Sequence, residues 1–125
     1  MRLQTLISGG LFVVAGLCAG PASAQEILGN WQRSDGTSRI RMAACGAAVC
    51  GTVTWLKNPD SPSKVGQRVF YDMKPNGSGW SGQAFNPEDG KTYTGKVTIS
   101  GARMTTQGCV LGGLICKSVE WSRMN

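Results

Sequence analysis

The chain has 125 residues, with 13 Lys or Arg against 7 Asp or Glu, a formal charge of +6, 18 Gly, 5 Cys and no His. Without histidine no Ser-His-Asp or Cys-His nucleophile can be built, and so short a chain hides only enough surface for one small domain. The cations are scattered singly, as at Arg33, Arg39, Arg41, Lys57, Lys64 and Arg68; that describes a solvated basic surface and argues against nucleic acid as a partner.

Residues 1–24 read as a cleaved signal peptide. Arg2 supplies the charge, Leu6 to Leu17 is an apolar run, and Ala22-Ser23-Ala24 has the small-x-small form of a cleavage site. The run is too short for a spanning helix, which needs about 20 apolar residues, and Gly9, Gly10 and Gly16 interrupt it. Cys18 follows Leu17, where lipoprotein processing favours a small residue, so cleavage after Ala24 discards it. The expected product is a single domain over residues 25–125 that is periplasmic or secreted, with no transmembrane segment.

From Gln25 on, runs of β-branched and aromatic residues recur between turn formers about every 8 to 12 residues. Strands are predicted near Leu28–Arg33, Ser38–Ala44, Val49–Leu56, Gln67–Met73, Trp80–Asn86, Thr92–Ser100, Arg103–Val110 and Ile115–Arg123. Turns fall at Ser34-Asp35-Gly36, Asn58 to Ser63, Lys74 to Gly79, and Asn86 to Gly90. Short links pair strands in sequence order, which predicts an all-β, antiparallel, up-and-down barrel; a two-sheet sandwich is the alternative. Alternation places Val49, Val53 and Trp55 on the inner face with Gly51, and Tyr93, Val97 and Ile99 with Gly95.

The four remaining cysteines are an even number in an oxidising compartment. Cys45 and Cys50 flank one hairpin tip, Cys109 and Cys116 another, so Cys45–Cys50 and Cys109–Cys116 are the expected disulfides. With Gly112-Gly113 as a two-residue turn, Leu111 faces Leu114 and Cys109 faces Cys116 in a hydrogen-bonded pair, its Cα atoms about 5.5 Å apart, and a wider turn would relax that geometry. Ligand gaps of four and six residues and the lack of His do not suit zinc, and no cofactor is expected.

Several pieces together resemble one family: Gly29-x-Trp31, Cys45 with Cys50-Gly51 and Val53-Thr54-Trp55-Leu56, Asn58-Pro59-Asp60, Trp80-Ser81-Gly82, Asn86 to Tyr93, Gly108 to Gly113, and Trp121-Ser122-Arg123. In this order they are similar to the bacterial proteins called domain of unknown function 2147, and the resemblance implies a lipocalin-like barrel without implying an activity. Phe85-Asn86-Pro87 stands where that family suggests a Tyr-Asp-Pro-like segment, removing a hydroxyl and a charge.

Glu88 and Asp89 are adjacent in a turn, where consecutive side chains diverge, so no paired-carboxylate catalyst is expected and the chain reads as a non-enzyme. The chemistry that remains is aromatic. Trp31, Trp55, Tyr71, Trp80, Tyr93 and Trp121 are the candidate lining of a barrel mouth that takes a small apolar ligand. The function so implied is a periplasmic module binding a small hydrophobic ligand. The alternative is a structural or protein-interaction module of the cell envelope, in which those aromatics fill the core of a narrow barrel.

Overall fold

The computed structural model describes residues 24–124. The predicted leader, with Cys18, lies outside the described residues except for Ala24. A short helix, α1 (Ala24–Ile27), leads into eight strands: β1 (Gly29–Arg33), β2 (Ser38–Cys45), β3 (Ala48–Leu56), β4 (Arg68–Asn76), β5 (Gly79–Asn86), β6 (Lys91–Ser100), β7 (Arg103–Val110) and β8 (Ile115–Arg123). Each pairs antiparallel with its sequence neighbours, and β1 pairs with β8 to close the barrel in the order β1 to β8. The barrel, rather than the sandwich, is the outcome.

Alternation fills the interior. Trp31, Ile40, Met42, Val53, Phe70, Met73, Trp80, Val97, Met104 and Trp121 are buried in one contiguous cluster, joined from the α1 end by Ile27. Three methionines and three tryptophans in so narrow a tube leave the backbone glycine where walls approach. A Cβ at Gly51 would lie 2.9 Å from both Met42 Sδ and Phe70 Cδ2.

Register shifts interrupt the simple alternation in the β2–β3, β3–β4 and β4–β5 pairings, and two of the bulges bear on the predicted residues. Arg39 pairs with Trp55 while Ile40 pairs with Val53, so Thr54 is an extra residue on β3. Beyond it the faces exchange: Leu56 packs against the core, and Trp55, predicted to face inward, lies on the outer wall 36% exposed with the Arg39 guanidinium 4.5 Å from its ring centroid. In β4, Tyr71 pairs with Gln83 and Lys74 with Ser81, so Asp72 and Met73 together oppose Gly82. Asp72 takes φ +54° there.

Lys74 to Asn76, expected in a turn, instead extends β4, and Pro75 pairs with Trp80. The reversal itself is made by Gly77 and Ser78 alone.

Both predicted disulfides are present. Cys109 lies opposite Cys116 with Cα atoms 4.1 Å apart, the spacing of a non-hydrogen-bonded pair. The wider turn is the reason: pairing stops at Val110 and Ile115, and Leu111 to Leu114 form a four-residue connection in which the Leu114 N–H donates to the Leu111 carbonyl at 3.2 Å. Cys45 pairs in register with Ala48 and Cys50 with Ala43, so the first bridge joins diagonal neighbours, 5.9 Å between Cα atoms.

Candidate binding rim

In an up-and-down barrel alternate turns share an end. The β1–β2, β3–β4, β5–β6 and β7–β8 connections therefore form one rim, while α1 and the end of β8 close the other.

The six predicted aromatics do not form one constellation. Trp31, Trp80 and Trp121 all belong to the core cluster, at 0%, 2% and 5% exposure. Trp31 Nε1 donates to the Ile27 carbonyl at 3.0 Å, and Trp121 Nε1 to Thr106 Oγ1 at 2.9 Å. Among the described residues Trp80 Nε1 is buried without a partner. Trp55 is on the outer wall, and Tyr71 is half-buried with Arg68 5.7 Å from its ring centroid.

Tyr93 alone stands at the rim on the inward-facing side of β6, its Cβ 3.4 Å from where a Cβ on Gly108 would lie. Its hydroxyl donates to Asp89 Oδ2. That bond holds the Asp89 carboxyl below its usual range, with the Lys91 N–H assisting, and pushes the Tyr93 phenol up. Asp89 and Asn86 also accept from the Lys91 and Glu88 backbone N–H groups at 2.9 Å each. The Asn86 to Gly90 segment is thus occupied in tying its own turn.

Across the rim, Asp35 accepts from the Thr37 hydroxyl at 2.6 Å, which holds its carboxyl low, and pairs with Arg33 at 3.2 Å. Asp72 sits in the β4 bulge, and Glu120 accepts from Thr105 at 2.9 Å and faces Arg103 at 3.6 Å.

The rim carries a feature that sequence reasoning missed. Val65, Val110, Leu111, Leu114 and Ile115 are exposed there, with Leu111 at 70% and Leu114 at 80%. With Trp55 they make six of the seven exposed large hydrophobics among the described residues; Met124, the seventh, is at the opposite end. A signal was available, since turns normally carry polar or small residues and this one has large aliphatics on both sides of Gly112-Gly113.

Topology explains how the hairpin comes to stand clear. β1 pairs with β8 only from Trp121 to Arg123, so Ile115 to Glu120 have β7 on one side and, among the described residues, no strand on the other. An open depression of about 260 Å³ lies at that gap, lined by Arg33, Ser34, Asp35, Ser118, Val119 and Glu120. Another, about 250 Å³, opens on the outer wall where Ser81, Lys96 and Gln107 align beside Trp80.

No curated protein matches the chain. A solved structure described as protein HP1028 from the human pathogen Helicobacter pylori, which belongs to the lipocalin family, is similar with a TM-score of 0.63 at 17% identity, over 80% of this chain and 84% of that one. At that identity the likeness concerns the fold, a lipocalin-like barrel. Residues 29–123 match the model of a family described as an uncharacterized protein conserved in bacteria, DUF2147, and the chain belongs to that family.

Proposed function

We propose that this is a non-catalytic binding module of the cell envelope, exported by its leader, which works from the β7–β8 side of its rim and not from a chamber inside the barrel. One observation carries the reading: the predicted ligand-lining tryptophans Trp31, Trp80 and Trp121 are buried in the core, while six of the seven exposed large hydrophobics among the described residues gather at one end. Disulfides suit the oxidising compartment that the leader implies. Site-specific photocrosslinking in intact cells tests the proposal. Probes at Leu111 and Leu114 should give envelope-dependent adducts and a probe at Ala47, on the opposite rim, should not; equal labelling from both ends, or none from either, defeats it.

A second reading keeps the small apolar ligand, seated at the mouth. It is favoured by the lipocalin-like barrel and by Tyr93, which shares the inward-facing side with Val110 and Ile115. Tryptophan and tyrosine fluorescence across a panel of fatty acids and aromatic metabolites checks it, together with native mass spectrometry after mild purification. A ligand-free mass with no spectral change in the panel removes it.

A further inference from the structure

We infer that the β7–β8 hairpin tip is a lipid-docking element, which inserts Leu111 and Leu114 into the surface of an anionic bilayer while Lys96 and Lys117 meet the headgroup phosphates. The inference rests on the rim reading above and names the occupant of that rim.

The tip is exposed, and between its two cysteines it carries only aliphatic residues and glycine. Val110, Leu111, Leu114 and Ile115 are 39%, 70%, 80% and 55% exposed, and no charged residue interrupts Cys109 to Cys116. Protein interfaces concentrate Trp, Tyr, Met and Arg, and their energetic centres under-use Leu and Val. A bilayer accepts any aliphatic group, provided the flanks match its charge.

Here they do. Lys96 Nζ reaches the tip, 3.4 Å from where a Cβ on Gly113 would be, and Lys117 follows Cys116 directly. Among the described residues neither lysine is in an ion pair, since the two salt bridges found join Arg33 to Asp35 and Arg103 to Glu120. Each lysine near an anionic surface adds attraction that fades with salt.

The Cys109–Cys116 bridge sits at the base of the loop and limits the freedom that insertion would otherwise remove. Leu111 is already held at φ +55°, a conformation that L residues rarely take.

The test is cosedimentation of the oxidised protein from Gln25 onward with vesicles of phosphatidylcholine alone or with about a third phosphatidylglycerol. Binding should require the anionic lipid and weaken steeply with salt. L111S/L114S should lower it by about tenfold or more, and K96Q/K117Q should remove the salt dependence. Circular dichroism should show both variants folded, because all four positions are on the surface.

Absence of wild-type binding, or retention of it by L111S/L114S, overturns the inference. So does a dimer that forms without lipid and is lost in L111S/L114S. If vesicles fail while crosslinks from Leu111 persist in cells, the rim reading survives and only the lipid falls; if both fail, both fall.

Discussion

The Arg123 guanidinium lies 4.2 Å from the ring centroid of Trp31, its register partner across the strand pair that closes the barrel. Nη1 donates to the Leu28 carbonyl at 2.9 Å and Nη2 to that of Glu26, while Trp31 Nε1 donates to Ile27. One side chain thus ties the last strand to the first strand and to α1.

Arg123→Ala should therefore cost about 2–4 kcal/mol, the sum of a partly desolvated cation–π contact and the charge-assisted hydrogen bonds it orphans. Arg123→Lys keeps the charge but not the planar fork and should lose about half of that. Urea unfolding measures both. An Arg123→Ala protein with wild-type stability would show that the closure does not depend on this contact.

Gly82 faces the β4 bulge so closely that a Cβ there would lie 2.4 Å from the Tyr71 carbonyl oxygen and 2.6 Å from that of Asp72. These are backbone atoms and cannot swing aside. Gly82→Ala should destabilise by about 2–4 kcal/mol by overpacking and by straining the bulge. Gly90 has φ +72° but open space around it, so Gly90→Ala should cost only about 1 kcal/mol, from backbone strain alone. Similar melting points for the two variants would contradict this ordering.

The same bulges mark where the sequence stopped being legible. The strand rhythm came from turn residues, which act locally, so each strand lies within three residues of its expected ends. A bulge adds one residue without any residue type that announces it. Thr54 therefore reversed the predicted facing of Trp55, and Asp72 let β4 run on through Pro75. Both disulfides were readable because loop length limits which sulfurs can meet. The rim was legible only in part: Leu111 and Leu114 beside Gly112-Gly113 depart from ordinary turn composition, whereas Val110 and Ile115 read as ordinary strand, and the short β1–β8 seam beside Ile115 has no local signature.

The two bridges close loops of similar length, so the chain-entropy model gives each about 2–2.5 kcal/mol. Paired Cys→Ala substitution at Cys45 and Cys50, or at Cys109 and Cys116, should lower the melting temperature by about 10–20 °C, since each kcal/mol moves a domain of this size by several degrees. Differential scanning calorimetry decides it. If either pair could be removed without effect, that hairpin would be held by packing and hydrogen bonds alone.

The Tyr93–Asp89 contact should set two pH limits on the β5–β6 turn. The Tyr93 hydrogen bond lowers the Asp89 carboxyl, so this group's contribution is present above the unfolded carboxylate range and is lost as pH falls through the lower folded value. The Tyr93 phenol is raised by the same bond, so its contribution is present below the unfolded phenol range and is lost as pH rises through the higher folded value. Between those limits the turn should be ordered, and it should loosen toward either extreme. Asp89→Asn weakens the hydrogen bond that holds the phenol proton and removes the charge that also opposes phenolate formation. A spectrophotometric titration should then show Tyr93 ionising at lower pH than in the wild type, with faster amide exchange at Lys91, whose N–H now bonds Asp89 at 2.9 Å. If Tyr93 titrated identically in the two proteins, its hydroxyl would not be bonded to that carboxylate in solution.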